Sequence, residues 1–193
     1  RAWCDLRVRS PLVGRHQATN AALAIAVLEY LPDELRPTAE AVQSGIRSVE
    51  YHGRDQIEVD EGGTWLFDVA HNVAGTRSLV DTIDRLELPR PLVMVVGVLG
   101  DKDWRGMLPP LFSRADQAIL TQAPSAPPER RWSVRDAGDS VGTITHVTVE
   151  EDFERAMQKA RAEAGKGTVL VTGSVHTVGS ALSVLGLEPL SKW

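Results

Sequence analysis

Three short stretches hold the side chains best suited to a charged substrate. "TWLFDVAHN", residues 64–72, ends an apolar run on Asp68, His71 and Asn72. "VVGVLGDKD", residues 95–103, ends another on Asp101, Lys102 and Asp103. "GTVLVTGSVH", residues 167–176, ends a third on Thr172, Gly173 and Ser174, with His176 close behind. A carboxylate accepts hydrogen bonds, and an imidazole exchanges a proton near neutral pH. The Lys102 ammonium, the Ser174 hydroxyl and free amides at a helix start together suit a carboxylate or phosphate. Each stretch also has a plainer reading. Asp68 can satisfy a loop amide or cap the next helix. The acid-rich turn can be a solvated surface turn, and Ser174 can be an ordinary N-cap after a glycine turn. Their common position, where an apolar strand hands over to a helix, carries more than any one of them.

The elements that must position these groups follow from patterning. Residues 1–13 alternate weakly and read as a terminal strand and turn. "HQATNAALAIAVLEYL" reads as a helix, apolar around most of its circumference and therefore well buried. "TAEAVQSGIRSV" is a second helix with Thr38 as N-cap. Helical patterning stops after Val49, and a domain boundary is expected near residue 52. Beyond it strands and helices alternate. "QIEVDEGGTWLFDVA" reads as two strands joined at Gly62-Gly63. "AGTRSLVDTIDRLEL" is a helix, and "PLVMVVGVL" is a strand buried on both faces. "WRGMLPPLFSRA" reads as one or two short helices interrupted by Pro109 and Pro110. "QAILTQA" is a strand, "PSAPPERR" a proline-rich loop and "THVTV" a short strand. "EEDFERAMQKARAEA" is an amphipathic helix, "GTVLVTGS" a buried strand and "VHTVGSALSVLG" a helix. This alternation predicts an α/β domain with a mostly parallel sheet flanked by helices. In such sheets ligands bind outside the carboxyl ends of the strands, where all three polar clusters fall.

Composition narrows the function. The 193 residues suit one domain, or one domain plus a piece of another. A net charge of -5 gives no basic surface for nucleic acid. Cys4 is the only cysteine, so an internal disulfide is ruled out and a reducing cytoplasm is the expected compartment. No apolar stretch approaches the length of a membrane helix, so no membrane partner is expected. The chain opens without Met, in what reads as mid-strand, and a fragment of a longer protein is expected. The phosphate loop G-x-x-x-x-G-K-[ST], the dinucleotide signature G-x-G-x-x-G and the G-x-S-x-G elbow do not occur in these residues. His52, His71, His146 and His176 lack zinc-site spacing, so no metal ligand is assigned. Residue patterns alone lead to an α/β ligand-binding domain of open chemistry.

"GRHQATNAALAIAVLEYL", "YHGRDQI", "LFDVAHNVAG", "VVGVLGDKDW" and "VLVTGSVHTVG" occur in an order that resembles the folylpolyglutamate and dihydrofolate synthases. These belong to the ATP-dependent amide ligases that include the muramyl ligases. The resemblance implies that residues 1–51 are a remnant of the central ATP-binding domain. Residues 52–193 would be the Rossmann-like C-terminal domain. It implies ATP and Mg²⁺, with Mg²⁺ held mainly by the missing N-terminal domain, and folate or dihydropteroate and L-glutamate as substrates. ATP would phosphorylate a carboxylate, and the amino group of glutamate would attack the acyl phosphate. By the same resemblance Asn20 touches adenine, Arg54 the nucleotide phosphates and Asp68 the ribose hydroxyls. His71 faces the reacting phosphate and incoming glutamate, and Ser174 holds a glutamate carboxylate. Lys102 and Asp103 are extended to the same pocket. This chain has Tyr51-His52 where the family often has Trp before Gly-Arg, and Val73 where Pro often follows the histidine and asparagine. Without a phosphate loop, the fragment alone is not expected to turn over. A muramyl-type amino-acid ligase and a non-catalytic α/β binding module stay open as alternatives.

Overall fold

The three most apolar runs become the middle of a six-stranded sheet. A computed structural model describes residue 3, residues 5–141 and residues 146–187, and divides the chain into two units, Arg1–Tyr51 and His52–Trp193. The first unit holds α1 (Arg15–Glu29) and α2 (Ala39–Arg47). Thr38 caps α2 by accepting a hydrogen bond from the Ala41 amide at 3.2 Å, as its position predicts.

The second unit runs β1 (Gln56–Asp60), β2 (Gly63–Asp68), α3 (Val73–Ile83), β3 (Leu92–Val96), α4 (Trp104–Phe112), β4 (Gln117–Leu120), α5 (Val134–Val141), β5 (His146–Val149), α6 (Phe153–Ala164), β6 (Thr168–Thr172) and α7 (Val175–Val184). The strand order is β1-β2-β6-β3-β4-β5. Only β1 is antiparallel to its neighbour; the other pairs are parallel. β2, β3 and β6 are buried along their whole lengths, as continuous Val, Leu and Thr runs require of strands covered on both sides.

Side-chain alternation sorts the core into two layers. Leu66, Leu170, Met94 and Val96 point to the face covered by α3, α4 and α5. Phe67, Val171, Val93 and Val95 point to the face covered by α6 and α7. The chain leaves β2 through α3, steps outward to β5, and returns through α6 to place β6 between β2 and β3. The helices therefore change face at β5, between α5 and α6.

Four details differ from the patterning. Residues 5–13 form no strand. They stay extended with alternate residues half-buried, because among the described residues no neighbouring strand offers a ladder. α1 is far less buried than its composition predicts. Gln17 is its one buried residue, while Leu23 is 63 %, Val27 58 % and Tyr30 90 % exposed. Among the described residues of its unit, α1 shares one cleft with α2, lined by Ala24, Ile25 and Leu28, and another with the extended segment, lined by Ala18, Ala21 and Ile25. α4 runs unbroken through Pro109 and Pro110, because Met107, Leu108, Leu111 and Phe112 are buried beneath it and outweigh two lost amide bonds. α5 follows the proline-rich loop where patterning assigned nothing. Ser133 caps it through the Asp136 amide at 3.3 Å, and Val134, Ala137 and Val141 are buried.

Candidate active site at the carboxyl edge of the sheet

The strand registers place Asp68, Thr172 and Val96 side by side at the ends of β2, β6 and β3. The turns carrying His71, Lys102 and Ser174 therefore leave one edge of the sheet. β2 exits to α3 on one face and β6 to α7 on the other, the arrangement at which folds of this class place their ligands.

Asp68 is buried at 5 % exposure and faces the α3 side of the sheet. Its Oδ1 accepts from the Ala70 amide at 2.8 Å and its Oδ2 from the Asp55 amide at 3.1 Å. The plainer reading of Asp68 is thus part of its role: it ties the loop before β1 to the exit of β2. Arg54 lies within that loop. Gly53 receives the Val69 amide on its carbonyl at 2.8 Å, and its own amide donates to Gln56 Oε1 at 2.8 Å. Gly53 has φ +71, and an added Cβ would meet Val178 and Val69 at 3.0 and 3.1 Å. Glycine is what lets the loop lie this close.

His71 is half-buried, and its Nδ1 lies 2.9 Å from the Val69 carbonyl. A carbonyl only accepts, so Nδ1 carries the hydrogen and Nε2 of the neutral ring presents its lone pair. Neutral His71 can accept from an ammonium; once protonated, it can donate to a phosphate. Asn72 does not join it. Its Oδ1 caps α3 by accepting from the Gly75 amide at 2.8 Å.

Asp103 likewise caps α4, accepting from the Gly106 amide at 3.0 Å. Lys102 Nζ lies 3.6 Å from Asp101 Oδ2, and Arg130 grips the same carboxylate at 2.8 and 3.1 Å. The Arg130 hydrogen bonds hold the Asp101 carboxyl below the usual carboxylate range. Ser174 is buried and caps α7 through the Thr177 amide at 3.1 Å. Thr177 Oγ1 donates to the Gly97 carbonyl at 2.6 Å, which uses its only hydrogen. The 2.8 Å contact between the two hydroxyls therefore runs from Ser174 to Thr177. The Ser174 proton is committed, so a carboxylate at this turn would meet the first-turn amides of Val175 and His176 instead.

In the other unit Asn20 is exposed on α1, its amide nitrogen donating to Gln17 Oε1 at 3.2 Å. Among the described residues no three His, Cys, Asp or Glu side chains gather as a metal site. No helix among the described residues is long and apolar enough to cross a membrane.

Patterning missed Asp55. It is 1 % exposed and the one described non-glycine residue with positive φ, at +47°. Burial, then the charge of Asp68, pushes its carboxyl up to about 7. An acid beside Arg54 was visible in the sequence; its burial was not. Thr177 was findable as the third residue after an N-cap serine, and Arg130 only as one of two arginines in a proline-rich loop.

A mostly parallel, doubly wound sheet flanked by helices, with helix starts capped along its carboxyl edge, defines an α/β domain of Rossmann-like class. The particular family follows from comparison: residues 53–175 match the model of the Mur ligase, glutamate ligase domain, and the chain belongs to that family. The dihydrofolate synthase/folylpolyglutamate synthase of Mycobacterium tuberculosis is 30 % identical over 198 residues, covering 93 % of this chain and 40 % of that protein. The M. tuberculosis folylpolyglutamate synthase structure complexed with ADP and AMPPCP superposes with TM-score 0.80 at 30 % identity, covering 94 % of this chain and 42 % of that one. A bifunctional folylpolyglutamate synthase/dihydrofolate synthase with Mn, AMPPNP and L-glutamate bound gives TM-score 0.75 at 32 % identity, covering 93 % and 41 %. The chain thus spans about two fifths of the relatives it matches.

Proposed function

We propose that these residues are the C-terminal part of an ATP-dependent ligase that adds L-glutamate to dihydropteroate or a folate. The observation that carries this reading is the meeting of the Asp68, Lys102 and Ser174 turns at one sheet edge, in a fold whose relatives bind nucleotide and glutamate. The substrate carboxylate oxygen takes the γ-phosphoryl of ATP, releasing ADP. The glutamate amine, having lost a proton, attacks the acyl carbon, and phosphate leaves as the amide forms. Phosphoryl transfer asks the protein chiefly for positioning and charge neutralisation.

In this reading Arg54 reaches the nucleotide phosphates, Asp68 accepts from the ribose hydroxyls and Asn20 touches adenine. His71 receives the glutamate ammonium on Nε2. Lys102 and the α7 start hold a glutamate carboxylate, with Ser174 and Asp103 keeping their turns in shape. Mg²⁺ would be held mainly by residues outside this chain. Residues 1–51 would belong to the ATP-binding domain; the apolar stripe Leu23, Val27, Tyr30 at i, i+4, i+7 on α1 supports a covering partner. A cytoplasmic setting fits a chain with one cysteine.

The test is ATP turnover by the full-length enzyme. ADP should appear only when glutamate and dihydropteroate or folate are both present. Turnover with a muramyl acceptor and none with a pterin acceptor would overturn the folate reading.

A further inference from the structure

We propose that Asp55 is a positioning residue, wedged between Asp68 and Thr82 so that it fixes the turn carrying Arg54. The inference rests on the reading of Arg54 as a phosphate ligand. Arg54 sits between two residues of positive φ, Gly53 at +71° and Asp55 at +47°. Both neighbours are tied to the exit of β2, Gly53 by the Val69 amide at 2.8 Å and Asp55 by Asp68 Oδ2 at 3.1 Å. The stem of Arg54 is therefore held from both sides. A left-handed backbone at position 55 also favours Asp, Asn or Gly over any other residue.

The side chain adds a third tie. Asp55 Oδ2 lies 3.4 Å from Thr82 Oγ1 on α3, and Thr82 Oγ1 lies 3.1 Å from the Ser78 carbonyl. The Thr82 hydroxyl donates to the Asp55 carboxyl, with the Ser78 carbonyl as its second acceptor, and so joins the carboxyl to α3. Burial beside Asp68 favours the protonated form of Asp55, which removes the repulsion between the two carboxyls. The charged groups acting on Asp55 are Asp68 from β2 and Arg54 from its own loop; α3 presents the Thr82 hydroxyl. Asp68 is thereby both the proposed ribose ligand and the anchor of the phosphate-binding turn. Replacing Asp68 would disturb both contacts at once, whereas Asp55 separates them.

In the full-length enzyme Asp55→Ala should raise KM for ATP about tenfold with kcat within about twofold, and Asp55→Asn should restore KM to within about twofold. Asp55→Ala should add nothing in an Arg54→Ala background. Additive effects of the two substitutions overturn the proposal. In the 193-residue chain the amides of Asp55 and Val69 should be protected from hydrogen exchange in the parent and in Asp55→Asn. In Asp55→Ala that protection should be lost while the amides of β2, β3 and β6 keep theirs. Unchanged protection in Asp55→Ala overturns the proposal whatever the kinetics. If Arg54→Ala leaves the ATP KM unchanged, the phosphate reading fails, and the exchange measurement alone decides the positioning role.

Discussion

Replacing Asp55 with Asn should change the pH dependence of stability in one direction only. Burial first, and then the charge of Asp68, pushes the folded-state carboxyl up to about 7, against about 3.9 for an unperturbed aspartate. An acid with a raised folded pKa contributes stability that is complete below its unfolded value and is lost as pH rises toward the folded one. The parent chain therefore loses stability from about pH 4 to about pH 7, and the loss is constant above that. About three units at 1.36 kcal/mol each set a ceiling of about 4 kcal/mol. Water entry and relaxation around a buried charge reduce the expected loss to about 2 kcal/mol. Asn at 55 does not titrate, tolerates positive φ and nearly matches the neutral acid in shape. Urea unfolding followed by tryptophan fluorescence reads the sheet unit directly, since Trp65, Trp104 and Trp132 are buried in it. At about pH 8 Asp55→Asn should be the more stable chain by about 2 kcal/mol, or about 5 °C in Tm. The advantage should shrink steadily toward about pH 4. Parallel stability curves across that range would refute the argument, because they would mean that Asp55 ionises freely in the folded state.

Two further outcomes follow from side chains that join loops to the sheet. Thr177→Val should cost about 1–3 kcal/mol in a denaturant melt, because the Gly97 carbonyl loses its donor and the Ser174 hydroxyl its acceptor in a buried site; Thr177→Ser should recover most of it. Arg161 donates to the carbonyls of Gly62, Gly165 and Thr64 at 3.0, 3.1 and 2.9 Å while lying over Trp65. Arg161→Lys should therefore lower stability by about 1–2 kcal/mol, since a single ammonium cannot span three carbonyls; a melt indistinguishable from the parent would show that the three contacts are not formed together.

The sheet was legible where residue chemistry and environment agree. The unbroken apolar runs of β3 and β6 admit no other placement than the interior, and Gly62-Gly63 marked the hairpin between β1 and β2. Thr38 was readable as a cap, and the alternation of strands and helices was enough to bring Asp68, Lys102 and Ser174 to one edge. What patterning missed depends on contacts distant in sequence. α4 tolerates two prolines only because four buried side chains hold it down. α5 carries too few apolar residues to stand out beside the proline-rich loop. The exposed side of α1 shows that an all-round apolar helix reports a need for cover, not the presence of it. Polar residues at the strand-to-helix junctions hold the local backbone in place. Asn72, Asp103 and Ser174 cap helices, and Asp68 binds loop amides. Asp55 was invisible because neither its left-handed backbone nor its buried neighbour leaves a mark on local sequence.

The position of β6 has a consequence for how the sheet is made. It is the last of the six strands to be synthesised, yet it lies between β2 and β3, both produced much earlier. Until residues 168–172 leave the ribosome, β2 and β3 each present an unpaired apolar edge toward the vacant slot, the sort of edge that recruits foreign strands. Closing it requires pairing across about a hundred residues of intervening chain, a slow step by contact-order arguments. Nascent chains stalled before that point should be the aggregation-prone species, and chaperone dependence should fall sharply once β6 has emerged.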